Sequence, residues 1–316
     1  MNVLRLIAGR VAMSLLTLLL VSALIFLTIE ILPGDVATRV LGRDATPESL
    51  AMLRDKLHLN DPAIGRYLAW LGNVLQGDFG ASLVSGRRVA IVLEPRIVNT
   101  VLLSAFAFLL YLPLAVIPAL IQAVNRDRAV DHGFSVVTLV LLSTPDFLLA
   151  TLLMVAFVIY VPILPAISLV DASSTPLQYL RAMVLPAVTL AIVMAVYAVR
   201  MLRDNLIEVL DSDYVRMAEL KGLSRHRVLL RHALPNALVP TLNVTALNLA
   251  YLIGGVVIVE KVFSFPGFGS LLVDVLQLRD VPMIEATVLI AATVYILANL
   301  VADIGAILLN PRLKQG

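Results

Sequence analysis

The amino-acid sequence predicts an all-α integral membrane protein. Three observations carry this. Of 316 residues, 60% are hydrophobic and only 15% charged; the mean hydropathy is +0.95; and the apolar residues gather in helix-length runs without the polar alternation of barrel strands. A soluble domain is near half apolar and about a quarter charged. A larger core does not absorb the excess, because a chain this size still has much surface to cover with polar groups. Cysteine is absent, which excludes disulfides, iron–sulfur clusters, thiolate zinc sites and a cysteine nucleophile. The formal net charge of +2 points to no nucleic-acid role.

Six stretches reach the roughly 20 apolar residues that a membrane helix needs: 10–31, 97–124, 133–161, 183–202, 237–259 and 283–309. The first follows Arg5 and Arg10. Its apolar core, Val11 to Ile29, exceeds the roughly 7–15 residues of a signal-peptide core, so residues 1–31 read as a retained anchor.

Residues 32–96 read as a small helical insert on the outer side. In "ATPESLAMLRDKLHL", Thr46 is the N-cap, Pro47 the first helical residue and Glu48 lies in the first turn, with Leu50, Leu53 and Leu57 on one face. "DPAIGRYLAWLGNVLQGD" repeats the pattern with Ile64, Leu68, Leu71 and Leu75. The two helices can pack on each other or on the membrane helices.

The third stretch contains "LLSTPDFLLA". Pro145 frees a carbonyl one turn earlier and predicts local non-helical geometry. Asp146 falls near the middle of the span, where an ionised carboxylate costs about 2.5–3.5 kcal/mol on insertion scales. It must therefore face protein or a water-filled cavity. Either it lines a pathway and meets a cationic group on a solute, or it bonds locally through Ser143 or Thr144 and steadies the kink. Asn243 and Asn248 in the fifth stretch are the other candidate pathway residues.

Orientation follows from Lys and Arg in the short connections. One set holds Arg5 and Arg10, Arg126 and Arg128, the run from Arg200 to Arg231, and Arg312 with Lys314. The opposite set holds Arg181 in one short loop and Lys261 with Arg279 in the other. Both termini are therefore expected in the cytoplasm. The 32–96, 162–182 and 260–282 segments then face outward, and 97–316 forms a core with a cytoplasmic loop at 203–236.

Enzyme signatures are missing. No Lys is followed by Ser or Thr, which removes a Walker A loop, and G-x-S-x-G and H-E-x-x-H are absent. His226 and His232 lack the i, i+4 spacing of a helical metal pair. No metal or cofactor is expected.

The long basic loop is structured. "DSDYVRMAELK" places Tyr214, Met217 and Ala218 on one face, with Leu220 flanking and Asp211 or Asp213 as cap. Gly222 sits where a helix ends in the left-handed conformation. Ser224 can cap a second helix, "RHRVLLRHAL", which Pro235 ends. A lipid-surface helix, a solvated loop and a docking element for a cytoplasmic protein compete. The Gly-Ser break and paired apolar faces favour docking over a solvated loop. Glu219 among the basic residues disfavours the lipid surface.

"YVRMAELKGLSRHRVLLRHALPNAL" resembles the cytoplasmic coupling loop of binding-protein-dependent ABC importer permeases. That family's pattern is E-A-A, three residues, Gly, then about nine residues and Leu-Pro. Here Arg216, Met217 and Ala218 occupy the E-A-A positions, Gly222 the glycine, and Leu234 with Pro235 the end. The departure at the first two positions is similar to the dipeptide and oligopeptide branch. So are "ILPGD", "RYLAWLGNVLQGDFGAS", "VEKVFSFPGFGSLLVDVLQLRDVP" and "NLVADIGAILLNPR", the last with Asn310 where Asp is usual.

The resemblance implies a type I importer permease fold with six membrane helices in the cell's inner membrane. Such a subunit is one half of a pore and performs no bond chemistry. Its implied partners are a second, similar permease, two cytoplasmic ATPases and an external solute-binding protein. It assigns ATPase coupling to Tyr214, Arg216, Met217, Ala218, Glu219, Gly222 and Leu223. The implied solute is a peptide or peptide-like molecule. Nickel complexes and opine or sugar conjugates are the alternatives within the branch, and the spans hold no His or Cys cluster that would suggest nickel. A stand-alone carrier would need inverted repeats or buried ion sites, and an intramembrane enzyme a polar pair at matching depth. Asp146, Glu30, Glu260 and Asp303 lie on different segments.

Overall fold

The computed structural model describes residues 3–31, 46–56, 60–171 and 173–309. The expectations that concern Leu57, the 32–35 part of "ILPGD", Asn310, Arg312 and Lys314 lie outside them. Among the described residues the chain is helical, with one isolated bridge between Ala81 and Arg88. Two compact units form: residues 1–98 with 271–316, and residues 99–270.

In the first unit, α1 (Val3–Ile31) lies against α12 (Val281–Leu309), and Arg10 pairs with Asp303 at 2.9 Å. The predicted insert helices are α2 (Pro47–Lys56) and α3 (Ala63–Leu75). Thr46 caps α2 as expected, its Oγ1 accepting from the Ser49 N–H at 3.2 Å. α3 packs on α1 through Phe26, Tyr67 and Trp70, while Ser22 and Tyr67 share a hydrogen bond of 2.8 Å. The leucine stripe is not what packs: Ile64, Leu68 and Leu75 are exposed, and the aromatic side of the helix takes the contact instead. Larger flat side chains bury more area per residue, so they win the interface.

Among the described residues four helices are long and apolar enough to cross a membrane, within α1, α4 (Val89–Val124), α7 (Pro176–Leu210) and α12. A fifth crossing is added if α5 (Ala129–Leu142) and α6 (Asp146–Met154, prolonged by a π turn at Val155–Tyr160) count as one span. The third predicted stretch is thus not one straight helix. It bends by 109° at residues 143–145. Pro145 has no N–H to give, and its ring disfavours the helical region for the residue before it. The fifth predicted stretch lies in α10 (Leu234–Val262).

The second unit is built on α7. Its start is closed by a capping box between Thr175 and Gln178, with Pro176 in the first turn. Ala187, Ala191, Ala195 and Ala198 are buried along it, and Ala107, Ala115 and Ala119 along α4. Small residues let membrane helices approach closely, which replaces the missing hydrophobic drive between them. Asn205 on α7 reaches the Ala237 carbonyl on α10 at 3.3 Å. In the loop before α7, the Ser173 and Ser174 hydroxyls and the Ser173 N–H hold the Asp171 carboxyl below its ordinary range.

After α10 the chain turns back over Glu260, which is fully buried. Its carboxylate accepts from Thr100 Oγ1 at 2.5 Å and from the Ser270 N–H at 2.8 Å. Gly267 and Gly269 pass directly against it, before α11 (Phe268–Leu278).

Candidate functional site

The segment joining α7 to α10 has an inside and an outside. α8 (Asp213–Leu220) starts at Ser212, which makes no side-chain cap; its hydroxyl bonds back to the Val209 carbonyl. Neither Asp211 nor Asp213 caps the helix. Asp211 is instead drawn 2.8 Å from the Arg126 guanidinium. At the far end, the Gly222 N–H donates to Glu219 O at 2.8 Å and the Leu223 N–H to Ala218 O at 3.3 Å. Gly222 has φ of +79°. This paired closure around a left-handed residue is a Schellman end, and it folds Leu223 back under the helix.

Leu223 lands on a small apolar cluster of Val215, Ala218 and Val228, with Val209 and Leu210 beside it. Ala218 therefore does not share the open face expected from the sequence. It is only 8% exposed, because the glycine turn brings Val228 against that side of α8. The open face holds Tyr214, Met217 and Leu220, the last 82% exposed, with Arg216 and Glu219 also exposed.

α9 (Arg225–Val228) begins at Ser224, whose side chain makes no cap bond. The helix does not stop at Pro235. It runs through a π turn at Leu229–Ala233 directly into α10. A wider turn makes room for the proline ring, which would otherwise meet the carbonyl four residues earlier.

Sequence reading missed the ties that hold this segment. The Tyr214 hydroxyl donates to the His232 carbonyl at 3.3 Å and accepts from Asn236 Nδ2 at 3.0 Å. Asn236 Nδ2 also reaches His232 O, at 2.7 Å. Asp131, 1% exposed, takes a forked contact from Arg203 on α7, with Nε at 2.7 Å. A Tyr, Asn or Arg at a helix end carries no periodic signal, so only the fold reveals these pairs.

The candidate pathway residues part ways. Asp146 opens α6 just after the bend, and the Tyr251 hydroxyl on α10 donates to its carboxylate. Ser143 and Thr144 are not its partners, since their hydroxyls bond back to Leu139 O at 3.0 Å and Val140 O at 2.7 Å. Asn248 spends its amide on the Met194 carbonyl of α7 at 3.0 Å, a helix-to-helix tie. The side chain of Asn243 lies outside the described residues. The residues of the α7–α10 segment and Asp146 thus lie in separate parts of the unit, the former at the junction of α7 and α10 and the latter at the bend.

Two family models match the chain. Residues 111–315 match the binding-protein-dependent transport system inner membrane component, and residues 3–87 match the N-terminal membrane component of the same kind of system. A Brucella abortus (strain 2308) protein named as a peptide transport system permease is 35% identical over 98% of both chains. The glutathione transport system permease protein of Escherichia coli (strain K12) is 35% identical over 94% of this chain and 95% of its own. A Sinorhizobium fredii (strain NBRC 101917 / NGR234) protein named as a peptide ABC transporter permease is 33% identical over 98% of both.

Proposed function

The chain belongs to the family of binding-protein-dependent transport system inner membrane components, and from that premise we propose that it is a permease subunit of an ATP-driven importer of peptides or peptide-like solutes. The names of its relatives, peptide and glutathione systems, support peptides over nickel complexes or sugar conjugates. ATP hydrolysis belongs to partner subunits. The companions are a second, similar permease forming a heterodimer, two cytoplasmic ATPases and an external solute-binding protein.

The observation that carries this reading is the self-contained element between α7 and α10. Its inner face is satisfied by Val215, Ala218, Leu223 and Val228, while Tyr214, Met217 and Leu220 are presented outward between Arg216 and Glu219. An apolar face with a polar rim, held at a fixed angle by Gly222, suits a groove on another protein. A push on α8 travels two ways. The Tyr214 bonds to His232 and Asn236 load the start of α10, and the Arg126–Asp211 pair loads the connection between α4 and α5. Closure of the ATPases thereby rocks α7 and α10 and alternates access to the pore.

Six crossings, with both termini cytoplasmic, fit the charge distribution. If the bent α5–α6 pair returned to its own side, the basic run Arg225–Arg231 would face outward, against the positive-inside bias. On this topology residues 1–31 are an anchor, 32–96 an outer insert and 97–316 the permease core with its coupling loop at 203–236. Asp146, held by Tyr251, lines the pathway and receives the amino terminus of the solute.

The test is reconstitution. The chain, co-purified with its companion permease and ATPases, should take up peptide into vesicles only with ATP and binding protein. Uptake by the purified chain alone would overturn the proposal.

A further inference from the structure

We propose that a cavity in the first unit, walled by α1, α3 and the start of α12, is a binding site for a primary ammonium or guanidinium group. The cavity measures about 490 Å³. Glu285 of α12 lines it, is only 9% exposed, and has no hydrogen-bond partner among the described residues. A carboxylate removed from water and left unpaired is strongly disfavoured, and an entering cation relieves that.

The rest of the wall agrees. Arg66 also lines the cavity, but Glu30 neutralises it. With Arg66 paired, Glu285 sets the sign of the wall, which admits a cation and rejects an anion. Phe26 and Trp70 supply aromatic surface, their centroids 6.3 Å apart, and the Arg66 guanidinium already sits 6.0 Å from the Phe26 ring. Aromatic faces attract ammonium and guanidinium groups. The volume lies in the lower half of the roughly 300–1,000 Å³ range of small-ligand pockets, enough for an amine of amino-acid size. Nothing in the argument depends on the α7–α10 element, so the site stands or falls separately from the proposed transport role.

Trp70 is the single tryptophan of the chain and lines the cavity, so its emission reports occupancy. The full chain in phosphatidylcholine vesicles is titrated with cadaverine, with agmatine, with a lysine blocked at both ends, and with 1,5-pentanediol as the uncharged control. The amines should change Trp70 emission saturably and the diol should not. Glu285→Gln should weaken amine binding at least tenfold. In the wild-type chain, methylguanidinium, which does not couple to the activated carboxyl as a primary amine does, should also protect Glu285 from carbodiimide modification read by mass spectrometry, which needs no variant to fold. Tighter binding of the free diamine marks a small-molecule ligand, and tighter binding of the blocked lysine marks a basic side chain of a docking protein. No saturable response, an equal response to the diol, or no protection of Glu285 overturns the site.

Discussion

Replacing Gly267 by alanine tests how the chain turns after α10. A Cβ built there lies 2.0 Å from Glu260 Oε1 and 2.1 Å from its carboxyl carbon. Either atom must retreat by more than about 1 Å to reach ordinary contact. The carboxylate has nowhere cheap to go, because Thr100 Oγ1 and the Ser270 N–H hold it at 2.5 and 2.8 Å in a fully buried position. Giving up both bonds, each to a charged acceptor, costs about 3–6 kcal/mol in sum. Gly267→Ala should therefore lower the thermal midpoint of the detergent-purified chain markedly. Glu260→Ala removes the obstacle as well as the bonds. The double variant should be little worse than Glu260→Ala alone, so the coupling between these touching sites should equal nearly the whole cost of Gly267→Ala. If Gly267→Ala destabilises the Glu260→Ala background as much as the wild type, the steric account is wrong.

The position of Gly222 gives a second, contrasting glycine test. No atom lies within 4 Å of its Cβ site, so only the φ of +79° resists substitution, by about 1–3 kcal/mol. Uptake and substrate-stimulated ATP hydrolysis should fall in the order Asn, Ala, Val, since Asn tolerates the left-handed region and a β-branched residue does not; wild-type coupling in Gly222→Val would reject the turn's role. Asp146→Asn keeps an acceptor for the Tyr251 hydroxyl but removes the charge. Uptake of peptides with a free amino terminus should drop about fivefold, the equivalent of roughly 1 kcal/mol, relative to N-blocked ones, with assembly intact; equal uptake of both would leave Asp146 a purely structural role. Cysteines introduced at the exposed Ser85 and Ser264 should react with an impermeant thiol reagent from outside, and one at Ser224 should not; outside labelling at Ser224 would invert the topology.

The helices and the glycine turn were legible because their signals are local. Apolar runs, Thr46 with Pro47, and Gly222 between two amphipathic segments each declare themselves within a few residues. What escaped was tertiary. Ala218 and Met217 are adjacent and equally apolar, and only the return of Val228 across α8 decides that one is buried and the other 54% exposed. The partner of Asp146 is 105 residues away on α10, while the hydroxyls beside it in sequence turn to their own backbone. Glu285 sits in a run that reads as ordinary membrane helix, and its lack of a partner is visible only once α1 and α3 are in place.

The bend at Pro145 also bears on how the protein is made. α5 has 14 residues, and α6 with its π turn has 9 and 6 more. At about 1.5 Å per residue neither arm exceeds roughly 22 Å, short of the roughly 30 Å of a bilayer's hydrocarbon. To the insertion machinery, however, the nascent chain offers one long greasy segment, and only the full length qualifies for release into lipid. Pro145 sets the bend within its own segment, whereas the tie from Tyr251 to Asp146 can form only once α10 has been made. Until the 105 residues that separate Asp146 from Tyr251 have been synthesised, that carboxyl group is without the hydroxyl that meets it in the folded chain.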